Sequence, residues 1–577
     1  MTLDREQSLV AAAEPATRTI VLAPPGAGKT EVVAALLENL VAEQSLSPYG
    51  EILVISFSRA AVNALRRRAR SRVGMAGLEI RTVDAMATQL LADSDAEDWE
   101  QRSFDERIAL ALELLAGDRT PTDLEEIRHV VVDEVQDLVG VRAKFVLRIF
   151  EKLPAEAGFT LLGDPRQAVY NFQLAGTGDL TSDEFLERAS SLGDVATLAL
   201  KGQYRSRSGD SSAAVSVGRD SGSPEERVRV LRRFISGLLA AGEVRALGGA
   251  LRRWDGSTAF LCRTNGEALV VAGALRAQGT LVSLRAAAEE LPLAAWIGEV
   301  LRDRTDQRVR REQLLSRLET APMSPTDAWR LLKSVERDLR SPDSLDLRRL
   351  AGGLSRGSIP IDLLGDDARV LVSTVHRAKG LEFDNVVVVN PGGLLPGETT
   401  ADDAAVAYVA LTRARDRLLT ARCEPPKGLR REPDGRWIFG GFQRWMTFGF
   451  EVRGIDTRQN DDLPIRRYSV TPDPGAEAEL RIDPRLSTLE VPVYSVICGG
   501  EPVARTNLRF GERLARRLKG PRSSGSPWPA LTGVVVEGTE TMTTPLPEPG
   551  GTWFDTSVRV SGMATLEWSD GGGTGNA

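Results

Sequence analysis

Short, wholly apolar runs alternate along the N-terminal part of the chain with segments whose apolar residues recur at helical spacing. Thr19-Ile20-Val21-Leu22, Ile52-Leu53-Val54-Ile55 and Phe159-Thr160-Leu161-Leu162 read as strands buried on both faces. Between the first two, Val32, Val33, Leu36, Leu37 and Leu40 line one side of a helix over 31–40. A further short strand and turn falls at Ile80–Asp84, and residues 86–128 read as helical, polar and acidic. Strands alternating with helices predict a parallel sheet covered on both faces, with loops at the carboxyl ends of the strands sharing one crevice. Farther on, helices are expected over Leu293–Arg302, Val309–Leu318 and Pro325–Leu339. Beyond the polar stretch 456–483, strands are expected at Thr488–Val496, Ala530–Glu537 and Val558–Glu567, with one basic helix over Arg509–Leu518.

Composition changes this picture little. The 577 residues are 42% hydrophobic and 27% charged, as in ordinary globular proteins of several domains. A net charge of −7 gives no global attraction to nucleic acid, so any such site must be a local basic groove. Three well-separated cysteines and two histidines argue against a disulfide framework, structural zinc or an iron–sulfur cluster. No apolar run approaches ~18 residues and no signal segment is evident, so a cytoplasmic protein without membrane partners is expected.

The chemistry concentrates where apolar runs end. Ala23-Pro24-Pro25-Gly26-Ala27-Gly28-Lys29-Thr30 lies between a strand and a helix and matches GxxxxGK[ST], with Ala23 at the first glycine position. Small residues let successive backbone N–H groups approach phosphates; Lys29 would reach the β- and γ-phosphates and Thr30 would place its hydroxyl on Mg²⁺. His129-Val130-Val131-Val132-Asp133-Glu134 is a strand ending in paired carboxylates. Such residues can simply cap helices, but beside a phosphate loop Asp133 would hold Mg²⁺ and Glu134 would activate water. Arg66, Arg67, Arg68, Arg70 and Arg72 form the densest basic run. Such a run is usually a solvated face; near an exposed Phe57 it would instead contact a phosphate backbone while the ring stacks on a base.

Eight motifs in order give the chain a family likeness. Residues 23–30, Asp133-Glu134-Val135-Gln136-Asp137, Gly163-Asp164-Pro165-Arg166-Gln167, Gln203-Tyr204-Arg205-Ser206 and Phe260–Asn265 are joined by Thr374-Val375-His376-Arg377-Ala378-Lys379-Gly380-Leu381-Glu382-Phe383 and Tyr408–Arg415. With Gln7 near the N-terminus, this pattern resembles superfamily 1 helicases of the UvrD/Rep/PcrA type over roughly residues 1–425. The resemblance implies an α/β fold with two RecA-like parallel-sheet motor domains, reduced helical insertions and a small β-rich C-terminal domain. It implies that Gln7 reads adenine, overturning its bland appearance as a helix residue, that Tyr204 stacks on the base, and that Glu382 touches the ribose. Gln167 and Arg205 would sense the γ-phosphate, and Arg413 would be the arginine finger. Phe57, Tyr170 and Phe172 would stack on bases, with Thr82, Thr374 and His376 also contacting the strand. The alternative for Tyr204 and Phe172 is that they are ordinary core aromatics.

The implied organisation is motor domain 1A at 1–85 and 129–195 around insertion 1B at 86–128, then motor domain 2A at 196–284 and 366–425 around insertion 2B at 285–365. A linker at 426–485, a β-rich domain at 486–570 and a tail at 571–577 complete it. Some positions depart from the family pattern: Glu31 and Asp84 replace the usual arginine and histidine, and Gln173 replaces an arginine. Arg304, Arg308, Arg310, Arg311 and Arg317 of the second insertion either line a duplex or face water. The expected activity is an ATP- and Mg²⁺-dependent translocase or helicase on single-stranded or tailed DNA, moving 3′ to 5′. The alternative is a DNA-sensing ATPase that activates a separate nuclease, as compact relatives in bacterial anti-phage systems such as Gabija do; a repair or defence protein would then be its partner.

Overall fold

The computed structural model describes the chain except residues 1–2, 58–61, 63–64, 66–77, 95–97, 100–101, 118–121, 175–176, 218–222, 286–291, 339, 356–358, 366–367, 398, 442–446, 459–467, 469, 519–527, 545–546, 548–550 and 569–577. Side chains of residues 79, 122, 123, 172, 173 and 361 are also outside it. The basic run from Arg66 to Arg72 therefore lies outside the described residues. The chain forms two compact units, Met1–Ala240 with Val375–Thr420, and Ala241–Thr374 with Ala421–Ala577.

The first unit is built on a parallel sheet. Its strands are β1 (Arg18–Leu22), β2 (Ile52–Ser56), β3 (Glu79–Thr82), β4 (His129–Asp133), β5 (Gly158–Gly163) and β6 (Val195–Ala199), in the order β3-β2-β4-β5-β1-β6. The central strands are buried along their whole length because alternate residues enter cores on opposite faces. Val54, Val131 and Leu162 meet Val33, Leu36 and Leu40 of the helix Lys29–Ala42. On the other face, Leu53, Val130 and Leu161 meet Phe145 and Ile149 of the helix Gly140–Lys152. The helix Phe104–Ala116 starts at a Ser103/Glu106 capping box and buries Ile108, Ala111 and Leu115 in that same core. The segment expected as insertion 1B thus covers the motor sheet itself.

In the second unit, Thr258–Cys262, Val370–Thr374 and Val282–Arg285 pair in parallel, with Val370–Thr374 in the middle. The helical insertion has its own core around Trp296, Ile297, Trp329, Leu332 and Leu350. Helices appear at Ala295–Leu301 and Pro325–Glu336, close to expectation. The helix expected over Val309–Leu318 instead opens as the strand Arg308–Arg310, paired with Ser344–Asp346, before short helical turns. Val309 faces Leu345 across that ribbon, and this long-range pairing overrides the local helical spacing.

The C-terminal part is an eight-stranded antiparallel sheet whose centre is the hairpin of Ala530–Thr543 and Phe554–Glu567. Residues 426–485, expected as a linker, supply four of its strands: Arg430–Arg431, Trp437–Gly440, Thr447–Val452 and Glu477–Ile482. Ile438, Phe450, Val452 and Leu480 are buried there, but polar and turn residues divide them into runs too short to stand out in sequence. The first strand expected in this domain starts later, at Tyr494–Cys498. The helix is Leu508–Leu518, as its periodicity predicts. At the hairpin's far end Trp553 and Phe554 enter the core of the helical insertion, and Thr541 Oγ1 donates to the Ala294 carbonyl at 2.6 Å.

Candidate nucleotide site and stacking platform

All the nucleotide-side motifs meet in the first unit, at the carboxyl ends of β1, β4 and β5. The phosphate loop leaves β1 and turns through Gly26 and Gly28, both at φ +81°. A Cβ on Gly26 would lie 1.9 Å from Gln203 Oε1, and one on Gly28 2.6 Å from Gln7 Nε2, so neither position admits a side chain. Gln203 Nε2 donates to the Pro25 carbonyl at 2.9 Å, and the Tyr204 N–H donates to Gly26 O at 2.8 Å. Gln7 is buried; its Nε2 donates to Ala27 O at 3.0 Å, while Asp4 caps the same short helix. Tyr204 is 42% exposed, which excludes the core-aromatic alternative, and its hydroxyl donates to Asp4 Oδ2 at 2.5 Å. The base-side residues thus already rest on the loop's backbone.

Lys29 opens the helix after the loop and its Nζ is 2.8 Å from Glu134 Oε2. Glu134 follows β4 in a left-handed conformation, φ 57°, which turns its carboxylate toward the loop. Burial and the adjacent Glu134 carboxylate push the Asp133 carboxyl well above its usual range. Burial alone would lift Glu134 too, but Lys29 and Lys379 outweigh it and hold that carboxyl low. Burial would likewise lower Lys29, yet Glu134 and Asp133 raise it. Gln136 spans the cluster, reaching Glu134 with Nε2 and accepting the Asp164 N–H at 3.1 Å.

Gln167 and Arg413 come together directly: Arg413 Nη2 donates to Gln167 Oε1 at 2.8 Å, and Arg413 Nε donates to Val409 O at 3.1 Å. Burial and the neighbouring Arg205 guanidinium lower Arg413 to about 10. Arg205 contacts Glu382, whose other oxygen lies 3.0 Å from Arg415 Nη2. Glu382 is thus engaged by two arginines. Two like-charge neighbours result: the guanidinium pair invites an anion, and the Asp133/Glu134 pair invites a cation.

The aromatic assignments divide. Phe57 and Tyr170 pack against each other with ring centroids 5.1 Å apart and planes tilted by 35°. Phe172 lies in the turn Asn171–Leu174, but its side chain is outside those described. Thr82 caps the helix Val83–Ala92 by accepting the Ala85 N–H at 3.1 Å. His376 sits in the helical turn Val375–Ala378, and Thr374 is buried at the end of its strand in the second unit. Asp84 is held by Arg142 at 2.8 Å, a structural use for the residue that replaces the family histidine. In the second insertion, Arg304 donates to Gln313 O, Arg311 to Thr326 and Arg317 to Arg302 O, so these three brace their own lobe.

Lys379 and Asp137 meet beside this cluster, a pairing the sequence does not announce although both stand inside its motifs. Their charges meet with side chains 6% and 5% exposed. Nothing in their sequence neighbourhood shows that residues so far apart pair.

A phosphate loop, an acidic β4 terminus and a glutamine bonded to a buried arginine define a P-loop nucleotide-hydrolase core. Residues 6–173 match the family model of an AAA domain, and residues 357–424 that of the UvrD-like helicase C-terminal domain. Among solved structures, the crystal structure of Pif1 helicase from Candida albicans aligns over 74% of this chain and 95% of that chain, at 14% identity and a TM-score of 0.37. No curated protein sequence matches. In order along the chain, the two matches thus give it an AAA-type ATPase segment followed by a UvrD-like helicase C-terminal domain, the pairing expected of a superfamily 1 helicase core.

Proposed function

We propose that this chain is a helicase coupling Mg²⁺-dependent ATP hydrolysis to 3′-to-5′ movement along single-stranded DNA. The observation that carries the reading is the Gln167–Arg413 hydrogen bond beside the Lys29–Glu134 pair. Lys29 and the loop N–H groups bind the phosphates, Arg205 and Arg413 stabilise charge developing on the γ-phosphate, and Glu134 takes the proton of the attacking water. Gln7 and Tyr204 hold the base. Thr30 and Asp133 supply oxygen donors for Mg²⁺. Their fit rests on donor chemistry and placement: a buried carboxylate at the end of β4 and a hydroxyl in the first turn after the phosphate loop are the hard oxygen ligands Mg²⁺ takes. Bound there, Mg²⁺ would neutralise charge on the β- and γ-oxygens.

The Phe57–Tyr170 pair offers sequence-tolerant stacking for bases. Thr374 and His376 are further candidates for strand contacts. Phosphate release measured with and without oligo(dT) tests the assignment: stimulation supports it, and turnover indifferent to DNA refutes it. A second reading, a DNA-sensing ATPase that signals to a separate nuclease, is favoured by the internal use of Arg304, Arg311 and Arg317. Those arginines are then unavailable to grip duplex. Robust unwinding of a tailed duplex by the isolated protein would exclude that reading. Among the described residues no helix is long and apolar enough to cross a membrane.

A further inference from the structure

Lys379 is buried and charged, and besides helping to hold the Glu134 carboxyl low it reaches groups on either side of the nucleotide cluster. Its Nζ donates to the main-chain carbonyl of Gln167 at 2.6 Å and to the Asp137 carboxylate. The same ammonium lies 5.3 Å from the centroid of the Tyr170 ring, which in turn packs at a tilt against Phe57. The side chain of Gln167 accepts from Arg413. One cation therefore touches the backbone of the residue facing the γ-phosphate position and the face of a ring in the stacking pair.

We propose that Lys379 is a positioning residue that couples the nucleotide site to the DNA-stacking rings, with Asp137 as its anchor. The proposal rests on the helicase reading above and adds the physical link within it. Two residues separate Gln167 from Tyr170, and Lys379 clamps both ends of that short segment. A shift of Gln167 toward or away from the γ-phosphate moves the carbonyl that Lys379 holds. The ammonium is tied to Asp137, so the shift is resolved at the Tyr170 ring rather than absorbed by solvent. Simple stabilisation explains the arrangement less well. A desolvated ion pair adds little net stability over an apolar pair of similar volume, and such a role would not require the cation to lie over a ring. Burial pushes Asp137 up to about 6, and Lys379 opposes that shift, so the pair is held together against its desolvation cost.

The test uses full-length protein, oligo(dT) and ATP. Lys379→Met is expected to cut the ratio of oligo(dT)-stimulated to basal turnover about tenfold, in the usual range of site-to-site coupling. Asp137→Asn should do the same more weakly, and Lys379→Arg should restore part of the stimulation. If Lys379→Met does not fold, as judged by circular dichroism and thermal melting, Asp137→Asn and Lys379→Arg carry the measurement. Parallel loss of basal and stimulated turnover in the folded variants would mark a merely structural role and overturn the proposal. So would unaltered stimulation in the variants of a DNA-stimulated wild type. A wild type that ignores DNA overturns the helicase reading first and this coupling with it.

Discussion

Two regions of this molecule bury several charges, and they do so in opposite ways. In the C-terminal sheet, Arg436 places Nη1 and Nη2 on the two oxygens of Asp456 at 2.6 and 2.5 Å, with both side chains at most 2% exposed. Arg453 pairs with Glu451 beside it, and Glu540 receives both Arg458 and Arg559. Every one of these guanidinium groups meets a carboxylate, with Arg559 reaching Glu537 as well as the Glu540 it shares with Arg458, and the geometry is complete without a ligand. In the nucleotide site, Asp133 adjoins Glu134 and Arg205 adjoins Arg413, and burial with like-charge repulsion displaces Asp133 and Arg413 from their usual ranges. Complementary pairs fix a fold; adjacent like charges keep a site ready for a polyanion and a cation.

The contrast can be broken at several points, the largest effect being on catalysis. Lys29→Ala should leave no measurable phosphate release, and Arg413→Ala should lower it about 10³-fold or more while nucleotide binding persists. A fluorescent nucleotide titration beside the turnover assay checks both, and normal activity in either variant would remove that residue from the site. Arg436→Met should instead leave Asp456 buried and unpaired, at a cost of about 3–5 kcal/mol. That loss should appear as faster hydrogen exchange over residues 437–452 and a lower melting temperature. Equal exchange in the variant and wild type would show that the pair contributes little.

A third test uses a buried group that should remain neutral. His129 lies within β4, bonded to Pro15 O at 2.8 Å and Thr160 Oγ1 at 3.0 Å, and burial lowers its pKa from 6.5 to about 4. The unfolded chain binds this proton more readily, so the contribution is full above pH 6.5 and is lost as pH falls toward 4. It amounts to about 3 kcal/mol at most. His129→Asn should flatten that part of the stability profile in melts across this range, and an unchanged slope would assign acid sensitivity elsewhere. Smallest is Phe57→Ala, expected to weaken oligonucleotide binding by about 1–3 kcal/mol with basal turnover retained. Equal loss of both would make Phe57 a packing residue.

The nucleotide site was legible because its chemistry is local: Gly26-Ala27-Gly28-Lys29-Thr30 and Asp133-Glu134 each carry their function within a few residues. The sheet of the first unit was legible because its strands are buried on both faces and read as unbroken apolar runs. The C-terminal sheet was only half visible. Arg430–Arg431 buries nothing in the hydrophobic core and Trp437–Gly440 only Ile438, and polar turns separate them. The Lys379–Asp137 contact was hidden for another reason: it joins distant segments, and no periodicity records such pairing. Val309–Leu318 misled because a three-residue strand was set by its partner Ser344–Asp346.

The most direct test of the central claim is phosphate release by the purified chain in Mg²⁺ and ATP, titrated with oligo(dT). A saturable rise in turnover with oligonucleotide, abolished by Lys29→Ala and weakened by Phe57→Ala, is the predicted result. Turnover that stays flat across the titration would contradict coupling of this nucleotide site to single-stranded DNA.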